Sequence, residues 1–169
     1  MISPAYVQKM AAYNRWINDG IYAAAASLTD DQRHQDCGAF FKSVHGTLNH
    51  IIWGDQMWMH RLAGTPKAAS PDIAGSTDQY DSFDELSRER LSFDNVISNW
   101  AIDVDESWLN GTLDWYSGSA GRDLSSPIWM LVTHMFNHQT HHRGQVHCML
   151  THLGARTPTM DLPFLPLDS

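Results

Sequence analysis

Apolar residues recur at helical spacing in four long segments of the chain, and each of these segments predicts a helix. The first runs from Pro4 to about Leu28, and Ser3 before it is a suitable capping residue. The second runs from Ser43 to Leu62 and ends before a Gly-Thr-Pro sequence that cannot continue a helix. Two amphipathic helices are therefore expected in the first third of the chain.

The other two helices also have recognisable ends. The third begins at Ser82, where Glu85 three residues later completes a capping-box pattern. The fourth begins at Pro127 and runs to about Leu153, where a glycine can terminate it. Asn14 falls on the apolar stripe of the first helix, which is unusual for a core position and predicts a polar contact between helices.

The segments between the helices differ from one another. Residues 64–81 are rich in glycine, proline, serine and alanine, and predict a connection long enough to cross the end of a bundle. Residues 103–126 break the helical pattern, and the turn-forming run 117–121 predicts a short β-hairpin before the last helix. The proline-rich tail is expected to be irregular. The pattern as a whole predicts an all-α four-helix bundle with one long crossover, in a single domain over residues 1–169.

Composition and charge narrow the possible partners. A net charge of -8 and the lack of a Lys/Arg-rich run argue against a nucleic-acid partner and against an anionic membrane surface. The chain has no long apolar run and no secretory signal pattern at its start, so we expect no membrane span and a cytoplasmic protein. Two cysteines are too few for a disulfide scaffold or a cysteine-rich zinc site.

The candidate chemistry lies in the fourth predicted helix, where His138 and His142 stand four residues apart. In a helix this spacing puts both imidazoles on one face, one turn apart, where they can hold a single transition metal ion. A spaced pair also arises by chance in a chain with ten histidines, and such residues can simply be hydrogen-bonded. His134 continues the same line, and we expect it to have a packing or supporting role.

A third ligand must come from another segment, and His50 on the second helix is the candidate. Gly54, one turn after it, leaves room for a ligand or a neighbouring helix. His45 is the rival, but it lies about 140° around the helix from His50, so the two cannot face one centre. Three neutral imidazoles with a vacant fourth position are typical of a catalytic site and suit zinc, nickel or another borderline divalent ion.

Other residue types give weaker functional signals than the histidines. Gln139 stands where a zinc peptidase of the His-Glu-x-x-His type has its general base, which argues against that mechanism. Arg61 could meet a substrate carboxylate, although a salt bridge is the more common role. Cys148 points away from His142, so we interpret it as a core residue. Four tryptophans could line a pocket, although aromatic residues at helical spacing more often belong to the core: Trp53, Trp58, Trp115 and Trp129.

The segment 137–145 has the sequence NHQTHHRGQ, which resembles the most recognisable motif of the DinB/YfiT-like superfamily. Further stretches resemble the same family, in the same order along nearly the whole chain: residues 13–18, residues 41–55 with Trp58 and Arg61, and residues 154–158 with Asp161.

The resemblance implies a four-helix bundle, often dimeric, with a metal ion held by His50, His138 and His142. Relatives in this superfamily include thiol-dependent isomerases and S-transferases, in which the ion is thought to activate a low-molecular-weight thiol. The resemblance therefore implies a metal-dependent thiol S-transferase or isomerase that acts on a small molecule. The alternatives are a non-catalytic metal-binding stress protein and a metal-dependent hydrolase. Hydrolysis is the weaker of these, because Asp55, the nearest acid on the second helix, points away from His50.

Overall fold

The structure is a computed structural model that describes residues 1–118 and 120–166. Ser119, in the predicted hairpin turn, and residues 167–169, at the end of the predicted tail, lie outside the described residues. The described elements are, in chain order, α1 (Pro4–Ala26), α2 (Asp30–His34), α3 (Val44–Ala63), a 3₁₀ turn (Ala74–Asp78), α4 (Phe83–Asp103), α5 (Glu106–Leu109), β1 (Thr112–Ser117), β2 (Arg122–Pro127), α6 (Ile128–His152) and a second 3₁₀ turn (Leu162–Phe164). The long helices α1, α3, α4 and α6 form the predicted four-helix bundle.

Three of the four long helices start where a serine side chain caps them. The hydroxyl oxygens of Ser3, Ser43 and Ser82 each accept a hydrogen bond from a backbone N–H in the first turn of the following helix. Gly64 ends α3 in the left-handed conformation that favours glycine (φ 68°). The predicted helix boundaries are confirmed to within about two residues because these caps act locally.

The contacts between helices give their relative directions. α1 and α4 are antiparallel, because Asn14 contacts Asp94 and Tyr22 stacks on Phe83. α3 and α6 are also antiparallel: the ring of His50 lies near His142, and Trp58, further along α3, lies near His134.

α3 and α4 run parallel, so the segment between them must return along the bundle. Asn49 bonds Tyr80 just before α4, and Asp55, six residues later, bonds Arg90 inside α4. Residues 64–82 therefore form the long crossover. They lie alongside α3 and do not cross an end of the bundle. Hydrogen bonds from the Trp53 indole to Ser70 O (2.9 Å) and from Gln79 to Gln56 (2.7 Å) hold this connection against the helix.

The segment between α4 and α6 contains the predicted hairpin. β1 and β2 pair antiparallel, with Trp115 opposite Leu124. The edge-to-face contact of Trp115 with Trp58 (ring centroids 5.3 Å apart) packs the hairpin against α3. The short helix α5, capped by Asp105, is not evident from the sequence pattern because four residues are too few to show helical periodicity.

A buried polar layer crosses the apolar core of the bundle. The carboxylate of Asp94 accepts hydrogen bonds from Asn14 (3.3 Å) and Asn18 (3.0 Å), and the Arg90 guanidinium bridges Asp94 (2.8 Å) and Asp55 (2.5 Å). Such groups are stable inside a protein only when they are paired, so the layer holds the helices in one register. Among the described residues, no helix is both long enough and apolar enough to span a bilayer.

Candidate metal centre

The structure brings together the three histidines that the sequence selected. One nitrogen from each of His50, His138 and His142 lies within 4.8 Å of the other two. The Nε2 atoms of His50 and His138 are 3.2 Å apart. Two nitrogens bound to one tetrahedral ion at about 2.0–2.1 Å would be separated by about 3.3–3.4 Å. The spacing therefore suits a shared cation, and without one it suits a hydrogen bond between two neutral rings.

Gly54 allows the two helices to approach closely enough for this arrangement. A β-carbon at position 54 would lie only 2.7 Å from Cε1 of His138 and 3.1 Å from its Nδ1. The room that the sequence predicted beside His50 is thus occupied by the ring of His138. Any larger residue would push α3 and α6 apart at the level of the imidazoles.

The hydrogen bonds of Ser76 determine which nitrogen of His50 carries the proton. The hydroxyl of Ser76 donates to the carbonyl of Ile73 (2.7 Å), so its oxygen is free to accept from Nδ1–H of His50 (2.8 Å). His50 is then in the tautomer whose Nε2 lone pair faces the other imidazoles. Ser76 is fully buried and comes from the long connection, which explains why that segment returns along α3.

Gln145 determines which nitrogen of His142 carries the proton. Its amide nitrogen donates to Nε2 of His141 (3.2 Å), which leaves its carbonyl oxygen to accept from Nδ1–H of His142 (2.9 Å). The Nε2 of His142 is therefore also unprotonated. Residues that hold the second nitrogen of a metal-binding imidazole commonly orient it in this way.

His138 is the third histidine of the cluster, and its environment differs from that of the other two. Its Nδ1 is buried and has no hydrogen-bond partner among the described residues. Burial, together with the neighbouring imidazoles, lowers the pKa of His138 and of His50 to about 3. Burial also lowers the pKa of His142. All three rings are therefore neutral at neutral pH, which is the form that binds a metal ion.

Aromatic rings form one wall of the site. Phe41 stacks on His50 with ring centroids 3.8 Å apart, and it lies 5.4 Å from the ring of His142. A tight turn holds Phe41 here, because the N–H of Lys42, at φ 64°, donates to Ala39 O (2.8 Å). On the other side Trp53 stacks on His50 at 5.5 Å.

The imidazoles open into a cavity of about 850 Å³, which is large enough for a small organic molecule. Trp53, Trp58 and Trp115 line this cavity, which is the pocket-lining alternative for these residues, and Trp58 is at the same time buried in the core as predicted. A second cavity, of about 510 Å³, lies between α1 and α4 beside Trp16, and none of the three imidazoles borders it. The larger cavity is therefore the candidate binding site.

The remaining polar candidates have other partners. His45, the rival of His50, points its Nε2 at the Tyr80 carbonyl (3.0 Å) and stays outside the cluster. Asp55 accepts hydrogen bonds from Arg90 (2.5 Å) and from the Gln139 amide (2.6 Å), and burial raises its pKa. It is fully enclosed, as its position on α3 predicted, and is unavailable as a base.

His134 has the packing role expected of it, whereas Cys148 departs from its prediction. His134 lies on the cavity wall, 6.0 Å from the ring of His138 and edge-to-face with Trp58 (4.9 Å), outside the three-histidine cluster. Cys148 is exposed, so its interpretation as a core residue is wrong, because α6 turns that position outward.

Ser76, Gln145 and Phe41 were not identified from the sequence. Gln145 had a detectable signal, since it stands three residues after His142 and four after His141 on one helix. Ser76 and Phe41 had none, because both approach the histidines from loops.

Comparisons with known proteins agree with this architecture. A sequence model of the DinB family matches residues 1–167. The chain is 25% identical over 153 residues to Protein DinB of Bacillus subtilis (strain 168), which covers 89% of this chain and 88% of that protein. The fold of this chain is similar to that in the crystal structure of a DinB-like protein from Bacillus cereus ATCC 10987, with a TM-score of 0.60 and 17% sequence identity. The match covers 85% of this chain and 90% of that one.

Proposed function

We propose that this chain, which belongs to the DinB family as its motifs predicted, is a metal-dependent enzyme of the thiol S-transferase or isomerase type. His50, His138 and His142 would hold one divalent transition metal ion, with zinc or nickel the best match to three neutral nitrogen donors. The observation that carries the proposal is that three imidazole nitrogens lie within 4.8 Å of one another beside an open cavity.

The fit to an ion rests on the hydrogen bonds around the rings. Ser76 and Gln145 leave the Nε2 atoms of His50 and His142 unprotonated, as metal coordination requires. A structural zinc ion commonly has four protein ligands, whereas three ligands leave a position for an exogenous molecule. The donor set and the adjoining cavity together favour a site that takes up a ligand.

A bound divalent cation lowers the pKa of a thiol ligand, so that the sulfur is held as a nucleophilic thiolate at neutral pH. The protein orients the imidazoles through Ser76 and Gln145, and the rings of Phe41 and Trp53 limit the access of water to His50. In an S-transfer, sulfur forms a bond to an electrophilic carbon while the leaving group departs with its electron pair. The thiol proton passes to water in the cavity.

An isomerase would use the same groups without consuming the thiol. The sulfur would add to one carbon of a polarised double bond, rotation would follow about the resulting single bond, and elimination would regenerate both the double bond and the thiolate. Both reactions place a thiolate beside an electrophilic carbon, and the aromatic lining of this cavity suits the organic part of such a substrate.

The two alternatives receive less support from the same geometry. A hydrolase that uses a carboxylate base for bound water receives little support, because Asp55, the acid nearest to His50 on α3, is bonded to Arg90 and Gln139. A purely structural ion, as in a non-catalytic stress protein, would not need an adjoining cavity of about 850 Å³.

The proposal also covers the cellular location, the domain organisation and the oligomeric state of the protein. A small thiol is kept reduced in the cytoplasm, which is the location that we propose. We also propose that residues 1–169 act as one domain, because the family model spans residues 1–167, and that the protein is a homodimer, as the resemblance implies.

Titration of cobalt-substituted protein with 2-mercaptoethanol tests the proposal. We expect a sulfur-to-cobalt charge-transfer band in the near ultraviolet that His138→Ala removes. Conjugation of the thiol to a chromogenic electrophile should then exceed the uncatalysed rate. Binding without turnover would favour the non-catalytic alternative, and a spectrum that ignores the thiol would reject the thiol-dependent function.

A further inference from the structure

Arg61 lies on the same face of α3 as His50, three helical turns further on. Eleven residues separate the two, which corresponds to about 20° of net rotation and a rise on the order of 16 Å. Both residues line the larger cavity, with Gly54 and Met57 between them. The cavity therefore has the imidazoles at one end and a guanidinium at the other.

Two indole rings hold the Arg61 guanidinium. Its central carbon is 4.8 Å from the ring centroid of Trp58 and 4.8 Å from that of Trp115, distances at which cation–π attraction is effective. Trp58 belongs to α3 and Trp115 to β1, so the hairpin contributes directly to this end of the cavity. Contact with both rings restrains the guanidinium before any ligand arrives.

The charge of Arg61 has no counter-ion among the residues that the structure describes. The other half-buried or buried arginines have hydrogen-bonding or ionic partners: Arg90 pairs with Asp55 and Asp94, Arg33 with Asp30 and backbone carbonyls, Arg143 with Asn14, and Arg15 with Asn95. Half-burial disfavours the charged form of Arg61 and lowers its pKa. Because the ring contacts do not fully offset this loss of hydration, a bound anion would stabilise the charged guanidinium.

The described lining of the cavity offers one carboxylate, Asp72, and it is engaged elsewhere. Asp72 is exposed and accepts a hydrogen bond from the backbone N–H of Gly75 (3.0 Å). Between Arg61 and the three-histidine cluster the wall is mainly apolar and includes Trp53, Met57 and Leu124, and the ring of His134 also lines it beside Trp58. A ligand that fills the cavity would thus meet a cation at one end, apolar surface in the middle and three imidazoles at the other end.

We propose that Arg61 binds the carboxylate of an extended thiol ligand whose sulfur lies at the three histidines. A planar carboxylate can accept two parallel hydrogen bonds from a guanidinium, and no hydrogen bond or ion pair within the described part of the chain occupies the N–H groups of Arg61. The ligand class is therefore a thiol with a remote carboxylate and an apolar middle section. This inference rests on the proposed thiol-dependent function for the sulfur end, and on Arg61 alone for the carboxylate end.

A series of ω-mercaptoalkanoates from mercaptoacetate to 11-mercaptoundecanoate, each compared with its uncharged ω-mercaptoalcohol, measures the distance between the two ends. In cobalt-substituted protein we expect no preference for the shortest acid. At an intermediate chain length the acid should bind at least about tenfold more tightly than the alcohol. Arg61→Gln should abolish that preference while leaving the affinity for the alcohols and the cobalt content unchanged.

Matched measurements distinguish carboxylate binding by Arg61 from thiol binding at the three histidines. Arg156→Gln removes an exposed positive charge away from this cavity and should preserve the preference. Octanoate and octanol, tested on metal-free protein by calorimetry, address Arg61 without any thiol. If cobalt spectra ignore every thiol but octanoate binding depends on Arg61, the thiol function fails and the anion site stands.

Equal affinities for acids and alcohols at all chain lengths, together with octanoate binding that Arg61→Gln does not change, would overturn the assignment of Arg61. Octylphosphonate in place of octanoate tests the chemistry of the anion. Tighter binding of the phosphonate than of the carboxylate would overturn the carboxylate class.

Discussion

The ring of His138 fills the space that a side chain at position 54 would occupy, since a β-carbon on Gly54 would come within 2.7 Å of its Cε1. A single missing methyl group therefore lets α3 and α6 present their histidines to one another. Real β-carbons are not found at such distances from a neighbouring atom, so either the ring or the helix must move if this position is enlarged.

Gly54→Ala is expected to lower metal affinity although it alters none of the three histidines. The added carbon should displace the His138 ring from its contact with His50. Gly144→Ala on α6 is the matched control, because a β-carbon there would meet nothing within 4 Å. That control should bind metal normally and gain about 0.4–1 kcal/mol of stability. Equal metal affinities for the two variants, measured by competition with a chromogenic chelator, would contradict this account of Gly54.

Purified protein should contain close to one equivalent of transition metal per chain. His138→Ala should remove most of it, because two imidazoles bind a divalent ion much more weakly than three. His45→Ala is the control on the same helix as His50, since His45 bonds the Tyr80 carbonyl and lies outside the cluster. Elemental analysis that finds equal metal in both variants would refute the proposed ligand set.

Ser76→Ala should weaken metal binding by about 10- to 100-fold, since the hydroxyl accepts the Nδ1 proton of His50 and fixes its tautomer. The control is Ser87→Ala, which removes a hydroxyl that donates to a backbone carbonyl of its own helix (2.7 Å) far from the histidines. Metal dissociation constants measured at one pH distinguish the two. An unchanged constant for Ser76→Ala would mean that the ring is oriented by packing alone.

The metal-free protein should lose stability as the pH falls below about 6.5. In the folded state the pKa of His50 and of His138 is lowered to about 3, whereas an unfolded chain titrates near 6.5. Between these values the unfolded chain binds more protons, so stability from both groups is complete above about 6.5 and is lost as the pH falls towards 3. Urea midpoints at several pH values measure this loss.

The double substitution His50→Gln and His138→Gln serves as the comparison for that titration. These side chains carry no titratable proton in this range, so the loss of stability between pH 7 and pH 5 should become smaller. A pH dependence identical to that of the unsubstituted protein would show that other groups are responsible for acid destabilisation.

Much of the fold follows from local information in the sequence. Helical periodicity and the capping residues at Ser3 and Ser82 predicted the long helices, because these interactions involve residues within one turn. The short helix α5 was missed for the corresponding reason, since four residues form barely one turn. The long crossover of residues 64–81 was also predicted, but its path along α3 was not, because composition indicates a loop and not its route.

The sequence alone determined that His138 and His142 share a face and that His45 and His50 cannot, because rotation per residue is a property of a single helix. Only the tertiary structure decided that His50 faces α6, that Ser76 and Gln145 fix two tautomers, and that Cys148 is exposed. Periodicity gives the direction of a side chain from its own helix axis. Which neighbour it meets depends on packing between segments that lie far apart in the chain, and here a missing β-carbon at Gly54 made that contact possible.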